Sequence, residues 1–262
     1  MKRGFLFALL LTVLSAAASF AAHPLVGDDT GTHGSGKYQL EVNGEAGIDR
    51  QKQGGVEVRT SSQQVAAILS SGLGESVDLV LGLPWQWTRE KEDGALRGKA
   101  NGVGDLSLEL KWRFFERDGF SLAVKPGLTV PTGDEARGLG NGRVSGGVTM
   151  IATKELAPVT MHLNAGYFRK EYGLEPDRQA NRNDIYLASL SALAEVFKNL
   201  QLAAEVCMVS NNDGTSGAWP AFATAGAIYS LRENIDIDLG IKQGLNEPAT
   251  DLTLLAGFSM HF

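Results

Sequence analysis

The 262-residue chain has a single cysteine, Cys207, so no internal disulfide can form and stability has to come from backbone hydrogen bonding and packing. Basic charge is also in short supply: 24 Lys and Arg stand against 30 Asp and Glu, a formal net charge of −6. With no basic patch in view, nucleic acid is excluded as a partner. Beyond the N-terminus no apolar run approaches the roughly 18 residues of a membrane-spanning helix. Histidine is scarce, at four residues, and the glycine-rich stretches do not follow a phosphate-binding pattern. Asp28-Asp29-Thr30-Gly31-Thr32 offers hard oxygen ligands without the ordered spacing of a calcium loop. Neither a metal nor an organic cofactor is expected, and an Asx-type turn or a plug segment accounts for these residues better.

What the chain does have is a period of two. In its last twelve residues Leu252, Leu254, Ala256, Phe258, Met260 and Phe262 share one side. Asp251, Thr253, Gly257, Ser259 and His261 share the other, interrupted only by Leu255. That alternation is the side-chain geometry of a β-strand. A long terminal strand ending on Phe262 resembles the closing strand of a bacterial outer-membrane β-barrel. The resemblance implies recognition by the barrel-assembly machinery, with outer-membrane lipids against the apolar side.

At the other end, Met1-Lys2-Arg3, an apolar stretch at 4–14 and a small-residue stretch at 15–22 together form a secretory signal peptide, expected to be removed after residue 21. Its loss takes two cations and no acid, moving the formal charge from −6 to −8. Residues 22–36 are expected as a short periplasmic N-terminal segment and 37–262 as the barrel.

Strand patterns recur at 37–48, 56–69, 76–87, 103–115, 120–131, 143–154, 159–169, 185–197, 200–210, 221–231, 235–244 and 252–262. About twelve strands result, each near the 9–11 residues that a tilted strand needs to cross a bilayer. The stretches 56–69 and 221–231 alternate poorly, and their register is open. Connections alternate in length: short at 71–75, 116–119, 155–158, 198–199 and 232–234, longer and polar at 49–55, 88–102, 132–142, 170–184, 211–220 and 245–251. The expected fold is all-β, an antiparallel up-and-down transmembrane barrel in the bacterial outer membrane. Trp85, Trp87, Trp112, Phe114, Phe120, Tyr167 and Phe262 lie near strand ends on apolar faces, where girdles at both lipid interfaces are expected.

The opposite faces carry Asp78, Glu109, Lys111, Arg113, Lys125, His162, Glu205, Asp236, Asp238 and Lys242. They are the candidates for a mixed-charge constriction, or for a salt-bridged network that fills the lumen. Twelve strands leave a bore between packed eight-stranded barrels and open sixteen-stranded porins, so both readings stand.

Three stretches also resemble one family along the whole mature chain: His23-Pro-Leu-Val-Gly-Asp-Asp-Thr-Gly-Thr-His-Gly-Ser-Gly-Lys37, Gly102-Val-Gly-Asp-Leu-Ser-Leu-Glu-Leu-Lys-Trp-Arg-Phe114, and Leu128-Thr-Val-Pro-Thr-Gly-Asp134 with Gly138-Leu-Gly-Asn-Gly142. These are similar to the transporter-like outer-membrane proteins labelled with the meta-pathway of phenol degradation. The resemblance implies diffusion of a small-molecule solute, including aromatic or hydrophobic compounds, and no catalytic residues. Two alternatives remain. A lipase- or protease-like barrel enzyme would use His162 as its base, with Asn164 on the same face, but no serine is marked as its nucleophile. A structural barrel would not conduct at all.

Overall fold

The computed structural model describes residues 23–53 and 55–262. The expected signal peptide lies outside them. The chain forms β1 (Tyr38–Gln53), β2 (Val56–Gly74), β3 (Val77–Glu92), β4 (Ala95–Val103), β5 (Leu106–Arg117), β6 (Phe120–Val130), β7 (Ser145–Leu156), β8 (Val159–Arg169), β9 (Asp184–Phe197), β10 (Leu200–Val209), β11 (Ala221–Arg232), β12 (Ile235–Gly244) and β13 (Leu252–His261). A 3-10 turn, Glu135–Arg137, and the short helix α1, Glu175–Ala180, sit in two of the loops.

Every pairing is antiparallel, and the sheet closes because β1 pairs with both β2 and β13, the latter from Gln39 opposite His261 to Ile48 opposite Leu252. Thirteen strands make a ring of twelve. The later half of β3 pairs with β4, from Trp85 opposite Val103, while its first half pairs with β5, from Val77 opposite Trp112. β4 and β5 are therefore one wall strand, broken at Gly104 and Asp105.

The loop expected at 88–102 is instead a two-stranded ribbon, β3 and β4 continuing to a turn at Asp93 and Gly94. Both turn residues have positive φ, 45° and 83°, the backbone of a type I′ hairpin. The ribbon carries Arg89, Glu90, Lys91 and Glu92 opposite Ala95 to Lys99. It projects beyond the apolar band and needs no apolar face, so the alternation used to find the other strands is missing. The loop expected at 49–55 is shortened likewise, because β1 runs to Gln53 and β2 starts at Val56.

Burial in this barrel is inside out. Asp78, Glu205, Asn164, Asp236 and Asp238 are buried, whereas Leu239 is 67 % exposed and Leu163, Leu254, Ile241 and Val206 are also exposed. A water-soluble sheet sandwich would reverse this, since each buried carboxylate costs free energy and each exposed leucine forgoes some. Hydrocarbon around the ring removes the conflict. The two open registers resolve the same way. In β2, Ser62, Gln64, Ile68 and Ser70 point inward and Val65, Ala67 and Leu69 outward; in β11, Thr224 and Ile228 point inward and Ala225 and Tyr229 outward. Ile68 and Ile228 facing inward, with alanines facing lipid, are what blurred the alternation.

Aromatics collect at both ends of the exterior. Trp112, Phe114, Phe115, Phe120, Phe197, Tyr229, Tyr38 and Phe262 lie toward the short-turn end; Trp85, Trp87, Tyr167, Tyr186 and Trp219 lie toward the long loops. Tyr167 and Tyr186 pack with ring centroids 5.3 Å apart, and the Tyr167 hydroxyl donates to Asp184 Oδ1 at 2.8 Å. An apolar ring with a polar tip suits the headgroup layer.

Candidate functional site in the occluded lumen

Residues 23–36 do not hang below the barrel. They run through its bore as a strap, touching one wall strand after another. The His23 ring Nδ1 lies 2.6 Å from Asp238 Oδ1 on β12. Val26 and Gly27 donate their N–H groups to the two Glu205 oxygens on β10, at 2.8 and 2.7 Å. Asp28 and Asn164 on β8 exchange two bonds, Asp28 N to Oδ1 at 3.0 Å and Asn164 Nδ2 to the Asp28 carbonyl at 2.9 Å. Thr30 donates to Thr153 Oγ1 on β7 at 3.2 Å, and its hydroxyl bonds Ser121 on β6. His33 N donates to both Asp78 oxygens on β3, at 3.2 and 3.1 Å. Gly31 N donates to Asp29 Oδ1, an Asx turn that bends the strap in mid-bore.

Charge concentrates at Asp28. Its two oxygens each take one ammonium, Lys111 Nζ and Lys125 Nζ, both at 3.0 Å. Lys125 also meets Glu109 at 3.2 Å, and Lys111 reaches the Asp29 carboxylate at 3.8 Å and its carbonyl at 3.3 Å. Such charge-assisted bonds are the strong kind, and in a partly dehydrated bore each keeps much of its strength.

All ten inward candidates face the bore, but they do not form one ring. Asp78, Glu109, Lys111, Lys125, Glu205 and Asp238 hold the strap or the lysines that hold it. Arg113 sits toward the short-turn end, paired with Glu116 at 3.2 Å. Asp236 pairs with His261 at 3.2 Å. His162 Nδ1 is taken by Thr153 Oγ1 at 2.8 Å, while Asn164 is occupied by the strap. Lys242 lies higher, paired with Glu45 at 3.2 Å.

Above the strap, toward the long loops, a cavity of about 600 Å³ opens, bounded by Glu45, Gln64, Gln86, Lys170, Phe222 and Lys242 among others. Glu45 and Lys170 were not among the sequence candidates. Glu45 continues the inward series Gln39, Glu41, Asn43 and so was visible in the period of two. Lys170 follows the end of β8, and nothing in its neighbours marks it. Burial lowers the pKa of its ammonium from the ordinary lysine value.

One knot ties the loops to the wall. Asp105, at the β4–β5 break, accepts from Gly133 N at 3.0 Å and Asn141 N at 2.8 Å. Thr132 Oγ1 donates to the Gly104 carbonyl at 2.8 Å and accepts from Leu106 N at 2.9 Å. The glycine-rich stretches at 102–114 and 128–142 are thus two halves of one structure.

Over residues 28–262 the chain matches the family model described as "Putative MetA-pathway of phenol degradation". The chain belongs to this family. No curated protein sequence matches it. Among solved structures, this member of the phenol-degradation family is similar to an outer-membrane channel from Pseudomonas putida F1, with a TM-score of 0.67, 17% identity, and coverage of 91% of this chain and 100% of that one. It is also similar to the translocator domain of the autotransporter NalP from Neisseria meningitidis, with a TM-score of 0.55, 13% identity and coverage of 87% and 89%. The KdgM porin gives a TM-score of 0.56 at 7% identity, with coverage of 86% and 99%. At these identities the likeness is one of fold. The fold and its apolar exterior place the family member in a bacterial outer membrane.

Proposed function

We propose that this protein is an outer-membrane channel for small solutes, with residues 23–36 as its closure. The observation that carries the reading is the cavity of about 600 Å³ at the loop end of the bore, with the strap crossing the bore on the other side of it. A volume of that size accepts a small molecule, and a barrel that served only as a structural wall has no use for it. The strap is held mainly by hydrogen bonds and ion pairs, with apolar contributions from the buried Leu25 and from Pro24, which packs on Gly226 and Gly240. Polar contacts can be exchanged for water, so a strap seated this way can leave the bore and expose a continuous path. Mixed charges at Glu109, Lys111 and Lys125 then line the vacated bore and select solutes by charge. Aromatic and hydrophobic compounds fit the family description, and the apolar part of the cavity, Phe222 with Ile185, supports their entry.

Liposome swelling tests this reading. Proteoliposomes holding a chain without residues 23–36 are expected to swell in small sugars and aromatic alcohols several times faster than those with the intact chain. Equal, background-level swelling of both would leave a barrel that does not conduct.

A further inference from the structure

We propose that the cavity at the loop end of the bore binds a small organic anion, a monocarboxylate with an aromatic or other apolar body. The argument starts from charge. Three ionisable side chains bound this cavity, Glu45, Lys170 and Lys242, an excess of one positive charge in a chain whose formal charge is −6. Lys242 is already neutralised, with Glu45 Oε2 at 3.2 Å and the Phe222 ring centroid 5.3 Å from its ammonium. Lys170 is not. Its Nζ donates to Asn212 Oδ1 at 3.0 Å, and among the described residues no carboxylate lies within ion-pair distance. Lys111 and Lys125, deeper in the same bore, each hold carboxylates.

A half-buried ammonium without a counter-charge is disfavoured, and a carboxylate entering from water relieves it. Lys170 fixes where the head of the ligand sits. Phe222, Ile185, Pro220 and Pro248 supply apolar surface in the same cavity for its body. A small polar uncharged solute would leave both features unused, and a divalent cation would meet the Lys170 ammonium as repulsion. The strap crosses the bore deeper in, so the anion waits in the mouth until the bore opens.

The assignment rests on the channel reading, since it names the solute class admitted to that mouth, and an equilibrium measurement separates the two. The full chain, refolded in detergent micelles, is titrated calorimetrically with benzoate and with benzyl alcohol as the uncharged analogue, each against empty micelles. The wild-type protein is expected to bind benzoate at least tenfold more tightly. Lys170→Gln should weaken benzoate at least fivefold and leave benzyl alcohol unchanged, and Lys170→Arg should restore benzoate. Equal affinities for the two probes in the wild-type protein, a comparison that needs no variant, would overturn the proposal. So would unchanged benzoate affinity in Lys170→Gln. Bilayer conductance of the strap-deleted chain is recorded separately. Conductance without benzoate preference removes the anion site alone, and benzoate preference without conductance removes the channel alone.

Discussion

Replacing Asp28 by Asn should open the bore. In the wild-type chain each Asp28 oxygen has an ammonium at 3.0 Å. The amide keeps the shape and the backbone bonds to Asn164 but removes the charge. Of the full carboxylate partners, Lys125 would retain Glu109 at 3.2 Å, and Lys111 the longer approach of Asp29 at 3.8 Å beside its bond to the Asp29 carbonyl at 3.3 Å. Breaking a buried pair costs about 3–5 kcal/mol, and the low end applies because 22% of the Asp28 side chain stays accessible. About 3 kcal/mol corresponds to roughly a 100-fold shift from seated toward released strap. Single-channel recording of the refolded protein in planar bilayers reads this directly, as the fraction of time spent in the conducting state. Asp28→Asn should raise that fraction by about two orders of magnitude, or to saturation. Raising the salt from 0.1 M to 1 M should move the wild-type protein in the same direction as screening weakens the pairs. Traces of the two proteins that cannot be told apart at either salt would refute the latch.

Three further outcomes are expected. Gly27→Val should also unseat the strap, because even a Cβ at that position would meet Ser189 Oγ at 2.5 Å, Asn164 Nδ2 at 2.8 Å and Glu205 Oε1 at 2.9 Å; protease cleavage near residues 23–36 of the folded barrel should speed up while the barrel itself stays resistant. Leu108 points into lipid between Leu81 and Leu128, so Leu108→Arg should cost about 2–4 kcal/mol near the midplane, seen as a lower urea midpoint for the heat-modifiable folded form. Asp105→Ala strands the Gly133 and Asn141 N–H groups; a cost of about 1–3 kcal/mol should appear as faster thermolysin nicking within 131–144, with the strap and its conductance unaltered.

The barrel was legible because its side-chain period is unambiguous where the outer face is leucine and the inner face is charged, as in Leu106 to Phe114 and Ile235 to Lys242. It became hard to read where that contrast fails. Ile68 and Ile228 face inward and alanines face lipid, while the ribbon at Asp93-Gly94 lies in water and needs no apolar face. The ten inward charges could be sorted to the bore from alternation alone. Their partners could not, since half of the ten bond to the strap, and contacts such as Val26 N to Glu205 or His33 N to Asp78 join residues far apart in the chain through main-chain groups that leave no trace in composition. Lys170 was missed for a related reason: its significance is a missing neighbour, and only three dimensions display that.

The strap is gripped mainly by its main chain. Five of its N–H groups, those of Val26, Gly27, Asp28, Thr30 and His33, dock on wall side chains. The address for this ligand-like peptide is therefore written in the walls, at Glu205, Asn164, Thr153 and Asp78. A foreign peptide that kept little more than glycine at position 27 and an acid at position 28 should occupy the same berth, which makes the bore a receptacle whose stopper can be exchanged by fusion without redesigning the cylinder.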